Sequence, residues 1–217
     1  MERLNVNPTR MELTKLKKRL VTATRGHKLL KDKRDELMKQ FLETVRLNLA
    51  LREKLEKELQ DAYGGFFASS ALMSPKMMAQ TFLYPKQGVS IDLSYKNIMS
   101  VNVPVYSIET KTDNKGDIYP YGFTNTPCEL DDSVKRLSDL MEDLLKLAEL
   151  EKTVKLLAQE IEKTRRRVNA LEYVMIPRFQ MTIKYIMMKL DENERGNTTR
   201  LMKVKDMVLT DTHKYKE

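Results

Sequence analysis

LTKLKKRLVTATRGHKLLKDKRDELMKQFLETVRLNLALREKL, residues 13–55, carries the clearest signal of the fold. Leu13, Leu16, Leu20, Ala23, Leu30, Leu37, Phe41, Leu51 and Leu55 fall on alternating steps of three and four. That rhythm averages about 3.5 residues, the repeat that keeps one stripe of a helix facing a partner helix in a coiled coil. Four polar residues, His27, Arg34, Thr44 and Asn48, interrupt the stripe, and polar seam residues can fix register at some cost in stability. Upstream, Asn7-Pro8-Thr9 reads as a helix start, with Asn7 capping free amides and Pro8 at the first helical position. From there to Ala62 no proline occurs and Gly26 is the only glycine. A helix of about 54 residues would span roughly 80 Å.

A second run with the same rhythm starts near Leu130: Leu137, Leu140, Leu144, Leu147, Val154, Ala158, Ile161, Val168, Met175, Phe179 and Ile186. Asp131 and Asp132 suit its first turn, where negative charge is stabilised. Pro177 lies inside this run and is expected to kink it, since it removes a backbone donor and crowds the preceding turn. Leu201, Val204 and Val208 continue the pattern beyond Gly196, and the end from Asp211 to Glu217 is expected to fray.

Between the two runs the character changes. Gly64-Gly65 reads as a helix stop, followed by Phe66, Phe67 and a stretch with Met73, Met77 and Met78. Those methionines suit either a small core or an adaptable binding surface. Val89, Ile91, Leu93 and Tyr95 alternate with polar residues, as do Val101, Val103 and Val105, with Lys96-Asn97 leading into the turn, so a β-hairpin is expected. Pro104 makes its second strand an edge or ends it nearby. The fold class is therefore mainly α: a long antiparallel two-helix coiled coil with a small α+β head, the hairpin, at the bend. The expected segments are 1–62, 63–129 and 130–217, the last kinked near Pro177 and ending in a projecting tip. With Ala62 opposite Leu130, Arg25 to Lys28 would face Arg165 to Arg167, and Arg165 itself would fall on the seam.

Composition agrees with long helices. Of 217 residues, 32% are charged and only 7% aromatic, with 7 Gly, 7 Pro and 14 Met. One cysteine, Cys128, cannot form an intrachain disulfide, and two histidines, His27 and His213, leave little for metal binding. No phosphate loop, dinucleotide fingerprint, zinc-protease motif or nucleophile elbow is present, so neither catalysis nor a cofactor is expected. No stretch has the roughly 20 apolar residues of a membrane span. Met1 to Asn5 does not resemble a secretory signal, so a cytoplasmic chain is expected.

The net charge of +8 is concentrated: Arg10 to Arg34 holds ten basic and two acidic residues. Such a field favours an acidic protein surface, or nucleic acid. Lys15, Lys17, Lys18, Arg19, Arg25 and Lys28 read by default as a solvated face. Arg165, Arg166 and Arg167 are more specific, because successive helical residues point about 100° apart and encircle the helix. A groove-reading helix would keep its basic residues on one side. A ring of charge suits a shaft enclosed by protein.

The order of motifs resembles one family. Asn5 to Leu13 and Arg25 to Leu37 look like the first helix of the V/A-type ATPase D subunits, Glu160 to Glu172 looks like their second, and Lys96-Asn97-Ile98-Met99-Ser100 resembles the hairpin of bacterial members. The resemblance implies a non-catalytic central rotor shaft inside a ring of alternating A and B subunits, which hold the nucleotide sites. It implies three kinds of protein partner: A and B, the F subunit as a heterodimer, and the subunit joining the shaft to the membrane ring. Nucleic acid and direct membrane insertion are not implied. The expected location is peripheral, on the cytoplasmic side of a bacterial or archaeal membrane, coupling ATP synthesis or hydrolysis to proton or sodium transport. Arg10, Lys17, Arg25, Lys28, Arg165, Arg166 and Arg167 are then candidates for the A/B ring. Ile91, Leu93, Tyr95, Ile98, Met99 and Val101 are candidates for the F subunit or the linker. The rival readings are a prefoldin-like chaperone, which also sets a hairpin between coiled-coil helices, and a basic nucleic-acid-binding coiled coil.

Overall fold

The computed structural model describes residues 3–84, 86–110, 118–122, 124 and 126–214. Of the end expected to fray, Asp211 to Glu217, the residues as far as Lys214 are helical and 215–217 lie outside the described residues. The elements in chain order are α1 (Arg10–Leu72), α2 (Pro75–Thr81), β1 (Val89–Ile98), β2 (Val101–Thr110), α3 (Cys128–Ala170), a π-helical turn (Leu171–Met175) and α4 (Ile176–Lys214). The fold is mainly α with one two-stranded antiparallel sheet. Two compact units share α1: one holds 1–34 with 163–217, the other 35–162.

The first unit packs the start of α1 on α4. Leu16 is fully buried against Phe179, Ile183 and Ile186, with Leu13, Leu20 and Ala23 flanking it. Arg10 pairs with Glu194, and His27 Nε2 lies 3.4 Å from Glu172 Oε2. The chain before α1 is tied down too, because Leu4 donates its N–H to Thr182 Oγ1 at 3.2 Å. Helix α1 begins at Arg10, not Pro8, and the Thr9 hydroxyl, not the Asn7 side chain, receives the Glu12 N–H. The helix resumes through Gly196 as expected, but from Asp191 to Leu209 every side chain is exposed.

The expected pairing of Arg25–Lys28 with Arg165–Arg167 is not found; His27 meets Glu172 instead. Arg165 is exposed, and the seam of α3 runs through Leu157, Ile161, Thr164 and Val168. Ala158 is exposed as well. The three-four rhythm places Ala158 and Arg165 on the seam, whereas the buried line takes steps of four, three and four through Leu157 and a threonine. Met175 also leaves the seam, because it sits in the π-turn. There the Ile176 N–H reaches the Leu171 carbonyl, five residues back. The wide turn lies just before Pro177, where a proline would otherwise crowd the preceding turn. The proline is thus absorbed without leaving helical geometry: Ile176 keeps φ −62° and ψ −49°.

The second unit packs the rest of α1 on α3. Leu37, Leu157 and Ile161 form one buried cluster with Val101 and Val103 of β2. Arg52–Glu151, Lys54–Asp143 and Asp61–Arg136 bridge the two helices along the exposed flanks. Buried hydroxyls in this unit cost little, because Ser69, Ser133 and Thr153 each donate to the carbonyl four residues earlier on their own helix.

Gly64-Gly65 does not stop α1, which continues to Leu72. The reason is packing. A Cβ on Gly65 would collide with Ser133 Oγ and sit 3.4 Å from the Glu129 carbonyl, whereas one on Gly64 would meet nothing within 4 Å. Gly65 thus lets α3 approach closely, and the helix accepts the usual glycine penalty there. Replacing Gly64 by Ala is expected to stabilise the protein by about 0.5–1 kcal/mol through helix propensity. Gly65→Ala should instead gain nothing or destabilise by about 1 kcal/mol through overpacking, and adding Ser133→Ala should recover the loss. Urea midpoints of the three variants test the assignment; equal gains at both glycines would overturn it.

Candidate partner-binding surfaces

The basic candidates all point outward. Arg165, Arg166 and Arg167 lie exposed between buried Thr164 and buried Val168, so the seam is complete without them. Arg10, Lys17, Arg25 and Lys28 on α1 are likewise exposed. Arg10 is partly neutralised by Glu194, and Lys15 by Glu12 at 2.9 Å. His27 is half-buried at the seam beside Glu172, a packed polar position. Among the described residues, no group of three or more His, Cys, Asp or Glu side chains could hold a metal, and Cys128 is exposed.

The hairpin divides its six candidates in two. Ile98 and Val101 close a two-residue turn at Met99 (φ 50°) and Ser100 (φ 73°). Two consecutive positive φ values are the geometry that follows strand twist, at a steric cost for residues other than glycine, asparagine and aspartate. Two interactions offset the cost. Asn97 Oδ1 accepts the Ser100 N–H at 3.0 Å while its amide donates to Asn102 Oδ1, and Ile98 and Met99 pack on the Leu37–Leu157–Ile161 cluster. Ile98, Met99 and Val101 thus face their own helices. Ile91, Leu93 and Tyr95 lie on the other face and are exposed. Pro104 does not end β2, which runs to Thr110.

Reading the sequence missed an apolar surface at the far end of α1. Tyr63, Phe67 and Leu72, with Leu83 and Tyr84 after α2, are exposed. Ring contacts link Phe67, Phe66, Phe82, Tyr121 and Tyr119 at centroid distances of 6.0–6.3 Å. Tyr121 donates to Asp131 at 2.7 Å, and burial followed by that bond pushes its phenol well above the usual range. Met73 is buried and Met77 and Met78 half-buried, so the methionines fill space beneath this surface. A cleft of about 680 Å³ opens beside it, walled by Tyr106 and Ile108 of β2 and by Leu137, Met141 and Leu145 of α3. The signal lay in apolar residues between 63 and 84 that do not fit the three-four rhythm.

Lys54 and Asp143 form an ion pair between α1 and α3, at 3.0 Å. The Lys54 hydrogen bond holds the Asp143 carboxyl below its usual range, and the same bond raises Lys54. A lowered carboxyl contributes stability above its unfolded pKa and loses it as pH falls through the folded value; the raised lysine behaves oppositely at high pH. The pair therefore stabilises between roughly pH 4 and 10. Asp143→Asn should lower the melting temperature slightly at pH 7 and converge with the unaltered protein on acidification. Thermal melts across pH test this; a gap that persists in acid would exclude the pair as its source.

The family model that describes the D subunits of ATP synthases matches residues 12–206. The D subunit of a V-type ATP synthase from Acetivibrio thermocellus is 60% identical over 214 residues, covering 99% of this chain and 96% of the relative. The protein of the same name from Clostridioides difficile is 63% identical over 209 residues, covering 96% and 94%. That from Clostridium botulinum (strain ATCC 19397 / Type A) is 57% identical over 207 residues, covering 95% and 96%.

Proposed function

The chain belongs to the family of ATP synthase D subunits, and on that basis we propose that it is the central rotor shaft of a V-type ATP synthase. The observation that carries this reading is the seam. In each unit the described helices meet through a line of single buried side chains, Leu16 with Ile186 and Leu37 with Leu157. Such a pair of helices suits the transmission of torque better than the enclosure of a substrate. The nucleotide chemistry belongs to the A and B subunits around the shaft, and the chain itself is not an enzyme. It is peripheral, on the cytoplasmic side, and couples turnover to proton or sodium movement through other subunits.

Three surfaces divide the partners. The arginines at 165–167 and the basic stretch from Arg10 to Arg34 touch successive A and B subunits as the shaft turns. Three equal sites can hold different states only if the shaft presents each with a different face, and charge carried on the outer flanks of one helix of an asymmetric pair does so. The exposed end of α4, with Leu201 and Val204, sits in an apolar collar. The aromatic surface around Tyr63 and Phe67 and the outer face of the hairpin take the F subunit and the linker to the membrane ring.

Mixing the chain with A, B and F should give a complex whose ATP turnover depends on its presence; failure to co-purify would overturn the reading. Arg166→Glu with Arg167→Glu should leave the fold unchanged and lower coupled turnover by about two- to tenfold through lost charge complementarity. Unchanged rate and torque would remove these arginines from the contact surface.

A further inference from the structure

The two edges of the hairpin are unlike. In an antiparallel pair, backbone hydrogen bonds are exchanged at alternate residue pairs, and a two-residue turn is flanked by a bonded pair, here Ile98 and Val101. Counting back, Lys96, Ser94, Asp92 and Ser90 direct their N–H and C=O groups to β2. Tyr95, Leu93 and Ile91 direct theirs away from it. The β2 strand follows the same alternation, because Tyr106, opposite Leu93, donates its N–H outward to Glu149 of α3 at 3.1 Å. Pro104, opposite Tyr95, has no N–H to offer. The outer edge of β2 is therefore occupied or blocked at two successive outward positions.

The outer edge of β1 is open. The N–H groups of Ile91, Leu93 and Tyr95 find no acceptor among the described residues, and β2 is the only strand paired with β1 there. Their side chains are 47%, 52% and 69% exposed. Open edges carrying apolar side chains are a liability that proteins usually cover or blunt with charge. Asp92 and Lys96, on the opposite face, make no ion pair among the described residues.

We infer that the β1 edge receives an extended strand of another member of the complex, adding antiparallel as a third strand to the hairpin. The strand that fits has apolar residues against Ile91, Leu93 and Tyr95, and on its other face a basic residue near Asp92 and an acidic one near Lys96. Main-chain bonds hold such a strand, while the alternating side chains select it. A second copy of this chain fits less well. Antiparallel pairing of two β1 strands centred on Ser94 sets Asp92 against Lys96 but leaves Ile91 facing Asn97. Centring on Leu93 matches the apolar residues and leaves Asp92 facing Ser94. Neither register satisfies both faces. Asp92 and Lys96 thereby admit a strand of matching charge and disfavour unselective pairing.

The inference rests on the chain's assembly with A, B, F and the linker, and hydrogen–deuterium exchange resolved to single residues tests it in that complex. In the free chain the amides of Ile91, Leu93 and Tyr95 should exchange fast while those of Ser94 and Lys96 exchange slowly. In the complex all three fast amides should slow by about tenfold or more. Unchanged exchange at the three amides in an assembled complex overturns the inference and leaves the rotor reading standing. Failure of the unaltered chain to assemble sinks the rotor reading, and this inference with it. Slowing in the free chain that grows with its concentration would assign the edge to a second copy and overturn the choice of partner. Leu93→Pro deletes one outward N–H and no bond to β2, whereas Leu93→Ala keeps the N–H and loses the side chain. With slow exchange at Ser94 confirming an intact hairpin, the proline variant should weaken assembly about tenfold more than the alanine variant; equal effects would overturn the added strand.

Discussion

A seam between two helices buries a single stripe of side chains from each, so little apolar surface is available and its placement governs everything else. Leu16 and Leu37 are fully buried because each fills a gap between residues of the opposing helix. With so narrow a core, the stability of each unit comes from many such contacts in series. Polar groups on the line must satisfy themselves. Ser69, Ser133, Thr153 and Thr182 do so by bonding back along their own helices, which keeps them from demanding a partner across the seam.

The narrowness of the seam also explains the departures from regular helix. Where α1 and α3 approach closely, at Gly65 and Ser133, the seam is filled by small residues, and glycine serves as a spacer instead of a breaker. Where a proline enters the second run, a π-turn widens the preceding backbone so that helix can continue into α4. Both features keep a helix running through a residue that would otherwise end it.

The hairpin is coupled to the seam at one end and open at the other. Val101 and Val103 add to the cluster around Leu37, so the turn with its two positive φ values is held by packing on α1 and α3. The strands leave that cluster with one edge bonded to Glu149 and the other without a partner among the described residues. The surfaces that the seam does not use are left exposed: the arginines on the flanks of α3, the aromatic surface beyond Ala62, and the Ile91–Leu93–Tyr95 face of β1.

The two helical runs, the seam of α1, the hairpin between them and the family are all legible in the chain's own residues, because each is written in local periodicity or in motif order. His27, Thr44 and Asn48 lie on the seam of α1 where the rhythm placed them. The rest needed the packed molecule. Gly65 reads as a stop until Ser133 is seen against it. Arg165 reads as a seam residue until Thr164 is found filling that position, since a buried hydroxyl can bond its own helix and an arginine cannot shed its charge. The register between helices, and the sorting of Ile91, Leu93 and Tyr95 from Ile98, Met99 and Val101, follow from contacts between residues far apart in the chain. Local periodicity carries no information about which distant residue will stand opposite.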